Sequence, residues 1–202
     1  MILKTMNKDE LFKEIEVDFQ NVVKKSFYLV PLVTRKLRKS REKVINMVFG
    51  YTSPKKNEWI LCIQCSKKGH ALIAYSYVKG DMNFYMMDDT NTSIVHYTPH
   101  FIERYAERFL RDKSLSKVEI MRKYIVNNGI RAFQQFDDKF FAKTEDGIEV
   151  GEIESIKNGH FFFHAKTFLS FDLLKENQTN LSIELHKFKE EYLKPLIKIY
   201  RF

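Results

Sequence analysis

The feature that most constrains the fold is a succession of short apolar runs, separated by turn residues, between Val44 and Val95. Each run has the length of a strand, and Pro54, Gly69 and Gly80 stand at three successive joints. Proline suits a tight turn, and glycine supplies the positive φ that tight connections demand. The pattern therefore predicts an antiparallel meander of about four strands.

Two cysteines, Cys62 and Cys65, fall within one predicted strand of this meander. At this spacing their side chains point to opposite faces of a strand and do not easily close a disulfide. A redox motif needs a turn or a helix N-terminus, and a zinc site needs a second pair of ligands. We therefore favour buried thiols in a reduced compartment.

A basic segment, TRKLRKSREK at positions 34–43, follows an amphipathic helix predicted over residues 7–25 with Asn7 as its N-cap. The segment holds six lysines or arginines and one glutamate. It is either a solvated connector or the most obvious phosphate-binding patch. The candidate nucleic-acid-binding residues are Arg35, Lys36, Arg38, Lys39, Arg41 and, from a later helix, Arg111. The net charge of +8 and the pI near 9.3 also favour polyanionic partners.

Helical signals come after the meander. Thr98 is a predicted cap and Pro99 a first helical residue, for a helix that runs to about Arg111. A second helix is predicted over residues 116–127, and a short piece over 130–136 links it to the next sheet. Three strands are then predicted up to Ser170, with Asx-Gly turns at 146–147 and 158–159. Residues 171–202 have the spacing of a long C-terminal helix.

The predicted fold class is therefore α+β: an antiparallel meander, central helices, a second small antiparallel sheet and a long C-terminal helix. We place subdomains at 1–95 and 96–202, which could also pack as one domain. The N-terminus has acidic residues where a signal peptide needs an apolar core, and no window reaches the length of a membrane span. The expected location is the cytoplasm, with no membrane partner.

The helix from Thr98 carries one polar stripe formed by His100, Arg104, Glu107, Arg108 and Arg111, of which the first four are the first candidate catalytic set. Its buried stripe is predicted to be Phe101, Ile102, Tyr105 and Phe109. Arginines bind phosphate oxygens bidentately, and a histidine in the first turn can move a proton. The alternative is an ion-paired, solvated helix face, because charge pairs at such spacings are common on exposed helices.

The predicted strand from His160 carries the second set. Alternation places His160, Phe162, His164 and Lys166 on one side, with Glu152 and Glu154 of the preceding strand on the same face. Lysine stabilising a phosphorane, with histidine or glutamate transferring protons, is the equipment of a metal-independent ribonuclease. The alternative is that these histidines are ordinary residues of a half-exposed strand.

A metal site is a separate alternative, built on His96 and His100 with Glu103, a set that His160 and His164 could join. Pro99 interrupts the first pair, and the sequence has no HExxH motif. We therefore expect no metal and no cofactor.

Two segments together carry a resemblance to known proteins: TPHFIERYAERF, and GHFFFHAKTFLS some fifty residues later. They resemble uncharacterised bacterial and phage proteins that have a His-x-x-x-Arg-x-x-x-Arg helix before a small antiparallel sheet. That layout is similar to the barnase, colicin and RelE group of ribonuclease toxins. The resemblance covers residues 98–170 and implies an RNA-cleaving or RNA-binding site that uses His100, Arg104 and Arg108 with Lys166 or Thr167.

The leading hypothesis is a bacterial or phage-associated protein that binds RNA or DNA and, if it is an enzyme, cleaves RNA without a metal. A protein-interaction or assembly module is the first alternative, and a metal-dependent hydrolase using His96 and His100 is the second. One condition separates these hypotheses. The two catalytic sets form one site only if His100 and Arg104 meet His164 and Lys166 in one cleft.

Overall fold

A computed structural model of the chain describes residues 1–87, 91–129 and 132–173. The fold is α+β, and in these residues nine strands form one mixed sheet. A long helix covers one face of the sheet and two shorter helices cover the other. The predicted C-terminal helix lies outside the described residues beyond Leu173.

The helices begin at strong sequence signals. Asn7 and Ser116 each form a reciprocal capping box, with Glu10 and Glu119 respectively, and Thr98 accepts a hydrogen bond from the amide of Phe101. The helices are α1 (Lys8–Lys39), α2 (Pro99–Tyr105), which continues as a π-helical turn over Ala106–Leu110, and α3 (Lys117–Asn127). A short 3₁₀ turn covers Phe171–Leu173, and a tight turn over Lys157–Gly159 holds Asn158 in the left-handed region, at a φ of 62°.

The strands run in the spatial order β1-β2-β3-β4-β5-β9-β8-β7-β6. Every neighbouring pair is antiparallel except β5 and β9, which are parallel. Their bounds are β1 Val44–Thr52, β2 Glu58–Ser66, β3 Gly69–Tyr77, β4 Phe84–Met87, β5 Ser93–Tyr97, β6 Ala132–Phe136, β7 Lys139–Lys143, β8 Gly147–Ser155 and β9 Phe161–Ser170. The antiparallel meander is thus present, as are the two Asx-Gly turns.

The prediction of a second, separate sheet is wrong. Strands β6 to β9 extend the meander, because β5 pairs with β9, with His96 opposite His164. A parallel contact between distant strands has no connecting turn, so the sequence carries no short-range signal for it. The proposed boundary at 95–96 falls within β5, whose pairing places strands of both proposed subdomains in one sheet.

Helix α1 is longer than the sequence pattern indicated. We predicted it to end near residue 25, but it continues through Pro31 to Lys39. Proline inside a helix costs about 3 kcal/mol. Here Pro31 faces solvent, while Leu29, Val33 and Leu37 continue the buried stripe against the sheet. That packing offsets the missing backbone hydrogen bond.

Two cores result, one on each face of the sheet. On one face, α1 packs over β2, with Ile15, Val22 and Val33 in one cluster with Trp59 and Leu61. On the other face, α2 and α3 pack over β5 and β9 through an aromatic cluster that includes Tyr97, Phe101, Tyr105, Tyr124 and Phe168. Cys62 and Cys65 are free and buried, and they belong to opposite clusters, as the strand alternation predicted.

Candidate functional site

Three segments meet at one end of the sheet: the last turn of α1, the loop from α1 to β1, and the β2–β3 turn. The β1–β2 register pairs Val44 with Ser66, which places the loop before β1 beside that turn. The hydroxyl of Thr34 lies 3.7 Å from the Cys65 sulfur, which holds α1 against β2 there. We call this surface the basic end; its cations are Arg35, Lys36, Arg38, Lys39, Arg41, Lys43, Lys67 and Lys68.

All eight cations of the basic end are exposed. No carboxylate within the described residues forms an ion pair with any of them. Glu42 is the single acidic residue in segments 34–43 and 66–70. The basic end therefore has an excess of positive charge that the described part of the protein does not neutralise.

Local structure fixes the basic end in place. Leu37 is buried, and its carbonyl accepts hydrogen bonds from both the amide and the hydroxyl of Ser40, which closes α1. In the β2–β3 turn, the Ser66 hydroxyl accepts from the amide of Lys68 at 3.1 Å and donates to the Gly69 carbonyl at 3.3 Å. Hydrogen-bonded backbone thus positions the exposed cationic side chains at this end of the sheet.

The run of basic residues at positions 34–43 indicates the α1 part of this surface but not Lys67 and Lys68. The signal was available: β1 and β2 form a hairpin, so the turn after β2 returns to the start of β1. Arg111, which we grouped with the α1 cations, lies elsewhere and pairs with Asp172 at 2.9 Å.

The polar stripe of α2 is an ion-paired network. Arg104 pairs with Glu107 at 2.7 Å and donates to His100 Nε2 at 3.4 Å. Lys113 pairs with the second oxygen of Glu107 at 3.0 Å, and half-buried Arg108 donates to the Phe168 carbonyl at 2.6 Å. Each arginine of the stripe thus already has an acceptor: Arg104 and Arg111 pair with carboxylates, whereas Arg108 contacts a backbone carbonyl.

The buried stripe of α2 contains Phe101, Ile102 and Tyr105 as predicted, but Phe109 is partly exposed. The helix we predicted to about Arg111 leaves α-helical geometry at Ala106. A π-helical turn has more residues per turn than an α-helix, so it shifts the direction in which Phe109 points. Phe109 still stacks on Tyr105, with ring centroids 5.4 Å apart.

The late-strand set does form a cluster, on the α1 face of the sheet. His164 Nδ1 lies 3.0 Å from His96 Nδ1, and His96 Nε2 lies 2.8 Å from Asn83 Oδ1. Glu154 contacts both His164, at 3.5 Å, and Lys8 of α1. Lys166 is the extra residue of a bulge in β9 and pairs with Glu152 at 2.5 Å. His160 stacks on Phe12, with ring centroids 4.1 Å apart.

The proton positions of the two histidines follow from their partners. An amide oxygen only accepts, so Nε2 of His96 donates to Asn83 and the neutral ring accepts at Nδ1 from His164. Burial lowers the pKa of His96 to about 4, with His164 and Lys8 contributing. Burial also lowers the pKa of His164; Lys8 adds to this, and Glu154 opposes it. His164 Nε2 is enclosed and lacks a hydrogen bond within the described residues.

The two candidate catalytic sets are not brought together. Helix α2 packs on the sheet face of Tyr97 and Ala165, whereas His96 and His164 face α1 with Phe162. The late-strand cluster is also far from the basic end: Lys8 and Lys39 are the two ends of α1, about 45 Å apart at the rise of an α-helix. In the part of the chain that the structure describes, the basic end, the α2 stripe and the late-strand cluster are therefore separate from one another.

The metal alternative requires His96 and His100 to meet. His96 faces α1, while His100 lies exposed on α2 at the opposite sheet face. In residues 1–87, 91–129 and 132–173, no group of three or more His, Cys, Asp or Glu side chains is arranged to hold a metal ion.

In the same ranges, no helix combines the length and the apolar character needed to cross a membrane. No protein-family model, curated protein or solved structure matches the chain.

Proposed function

We propose that the protein binds nucleic acid through the basic end. The supporting observation is that eight exposed lysines and arginines from three segments lie together with one carboxylate among them. Phosphate backbones are bound by such cations, and the release of counterions supplies most of the affinity. Within the described residues no carboxylate forms an ion pair with these cations, which supports their availability to a phosphate chain.

Solubility and helix electrostatics do not account for the whole arrangement. The macrodipole favours cations in the last turn of α1, which explains Lys36, Arg38 and Lys39. It does not explain the cations outside that turn, which include Arg41 and Lys67. A surface selected for solubility alone would mix both signs, because neighbouring like charges repel. A polyanionic ligand relieves that repulsion.

RNA cleavage remains a separate hypothesis and is not included in this proposal. In the α2 stripe, Arg104 pairs with Glu107 and Arg108 donates to the Phe168 carbonyl, and the ring nitrogens of His164 are directed into the protein. Both lysines of the late-strand cluster are paired with glutamates. A phosphodiester would need to displace these partners before a proton could be transferred.

The test compares two triple variants by fluorescence anisotropy with a labelled RNA. One replaces Arg35, Arg38 and Lys39 by alanine, and the control replaces Lys79, Lys113 and Lys117, which pair with Glu58, Glu107 and Glu103. Both remove the same charge. Log affinity falls as log salt rises, and each lost phosphate contact makes this negative slope shallower by about 0.7 to 0.9. We expect the slope to become shallower by about 2 in the first variant only. Equal slopes in the two variants would contradict the proposal.

A further inference from the structure

The outer face of α1 carries an apolar patch directly before the basic end. Phe27 is 65% exposed, Tyr28 75% and Leu32 57%, values far above those of other aromatic side chains in the same helix. Lys24 precedes the patch by one turn and Arg35 follows it by one turn, and both are exposed. The patch and the basic end thus form one continuous stripe along the helix.

The apolar patch lies outside both core clusters of the described residues. Helix α1 packs on the sheet through Ser26, Leu29 and Val33, which face the other way. Contact between large apolar side chains and water is unfavourable, and the folded protein leaves these side chains exposed to water. Rings that are exposed beside unpaired cations are the arrangement on which bases stack in proteins that bind single strands.

We propose that Phe27 and Tyr28 form a stacking platform for the bases of a single-stranded nucleic acid whose phosphates are bound by the basic end. This inference rests on the proposed function and specifies its ligand. Phe27 and Lys39 are separated by about 18 Å along the helix, at 1.5 Å per residue. That distance accommodates about five stacked nucleotides of one strand.

Charge selects this ligand over the other occupants of such a patch. A second copy of the chain could cover the patch with its own α1 helix. If the two helices were antiparallel, Arg35 would lie against the partner's Lys24. If they were parallel, each of these cations would lie against the same cation of the second copy. Both arrangements bring like charges together. A duplex keeps its bases stacked internally, so the rings would contact only its backbone. The patch is also small for a membrane surface, since the main apolar stripe of α1 is buried in the protein.

The experiment measures the affinity for a single-stranded RNA of about twelve nucleotides and for a duplex of the same sequence. The variant is Phe27→Ser with Tyr28→Ser, and the control is Val17→Ser, another exposed apolar residue of α1. We expect the double variant to weaken binding of the single strand by about tenfold or more, and binding of the duplex by less than about twofold. The control should bind both RNAs as the unmodified protein does.

The outcomes are distinct. If the double variant binds the single strand normally, or loses affinity for both RNAs equally, the stacking platform is overturned. A dimer in light scattering that the double variant dissociates would overturn it too, as would binding to anionic vesicles that the double variant abolishes. If the alanine variant at Arg35, Arg38 and Lys39 still weakens RNA binding, the proposed function survives that failure. If the unmodified protein binds no RNA at low salt, both proposals fail.

Discussion

Val44 pairs with Ser66 across the β1–β2 ladder, and this contact joins two basic segments that are more than twenty residues apart in sequence. The loop that ends at Lys43 and the turn that contains Lys67 are thereby neighbours at one end of the sheet. The proposed phosphate-binding surface is thus a product of the fold and not of the α1 segment alone.

The first prediction concerns the β2–β3 turn. Replacing Lys67 and Lys68 by alanine should make the negative slope of log affinity against log salt shallower by about 1.4 for single-stranded RNA, because two phosphate contacts are lost. The matched control replaces Lys4 and Lys157, which pair with Asp81 and Asp9 near the other end of α1. Equal slopes for the two variants would show that the turn does not contact phosphate.

The second prediction concerns the α2 stripe. Arg104→Ala should change RNA affinity by less than about twofold, because Glu107 neutralises this guanidinium. The same change at Arg38 should reduce affinity by several fold. Anisotropy at one fixed salt concentration measures both. A larger effect at Arg104 than at Arg38 would move the interface to α2 and favour the ribonuclease-like site.

The third prediction concerns pH and the His96–His164 pair. The pKa of His96 in the folded protein is about 4, below its usual 6.5. The stability that depends on the neutral ring is therefore complete above pH 6.5 and is lost as the pH falls toward 4. One pKa unit corresponds to about 1.4 kcal/mol, so the loss is on the order of 3 kcal/mol at most.

Urea denaturation at pH 7 and pH 4.5 measures this loss. His96→Asn should show a smaller decrease in the free energy of unfolding between the two values, since it removes the titrating ring. The control is His70→Asn, because His70 is exposed at the start of β3. A pH dependence identical in His96→Asn and the unmodified protein would contradict the assignment of a buried neutral imidazole.

The fourth prediction concerns a buried carboxylate that fastens α1 to the sheet. Burial would raise the pKa of Asp18, but hydrogen bonds lower it overall. Its donors are Asn21, the Ser53 hydroxyl at 2.7 Å, the Trp59 indole at 2.9 Å and the Asn57 amide at 2.7 Å. Asp18→Asn should reduce the free energy of unfolding by about 2 to 4 kcal/mol, because an amide nitrogen would face these donors.

The same denaturation experiment provides the control. Glu16→Gln lies on the same helix and is half-buried, and it should change the free energy of unfolding by less than about 0.5 kcal/mol. A stability loss for Asp18→Asn as small as that of Glu16→Gln would show that the hydrogen-bond cluster does not stabilise the contact between α1 and the sheet.

Local signals made much of the fold predictable. Capping residues located the start of each helix, and the Asx-Gly pair at Asn158 adopts positive φ at both positions, as a tight hairpin requires. Contacts between distant segments were not predictable in this way. The β5–β9 pairing and the continuation of α1 through Pro31 depend on burial against elements far away in sequence.

In the candidate site, too, local features were predictable from the sequence, whereas contacts between distant segments were not. The cations of α1 were evident from composition, but their neighbours Lys67 and Lys68 required the register of β1 with β2. The spacing of residues indicated each of the two candidate catalytic sets, but neither pattern indicated that the sheet separates them. The spacing of residues within one helix or strand shows which side chains share a face of that element. It does not show which other element packs against that face.

Photo-crosslinking with a thiouridine-labelled single-stranded RNA, followed by mass spectrometry of the peptides, locates the bound RNA on the protein surface. We expect crosslinks in residues 27–43 of α1 and its following loop and in residues 66–70 of the β2–β3 turn. Crosslinks confined to residues 99–111 of α2 and its π-helical turn, or to the late-strand cluster around His164, would contradict this expectation.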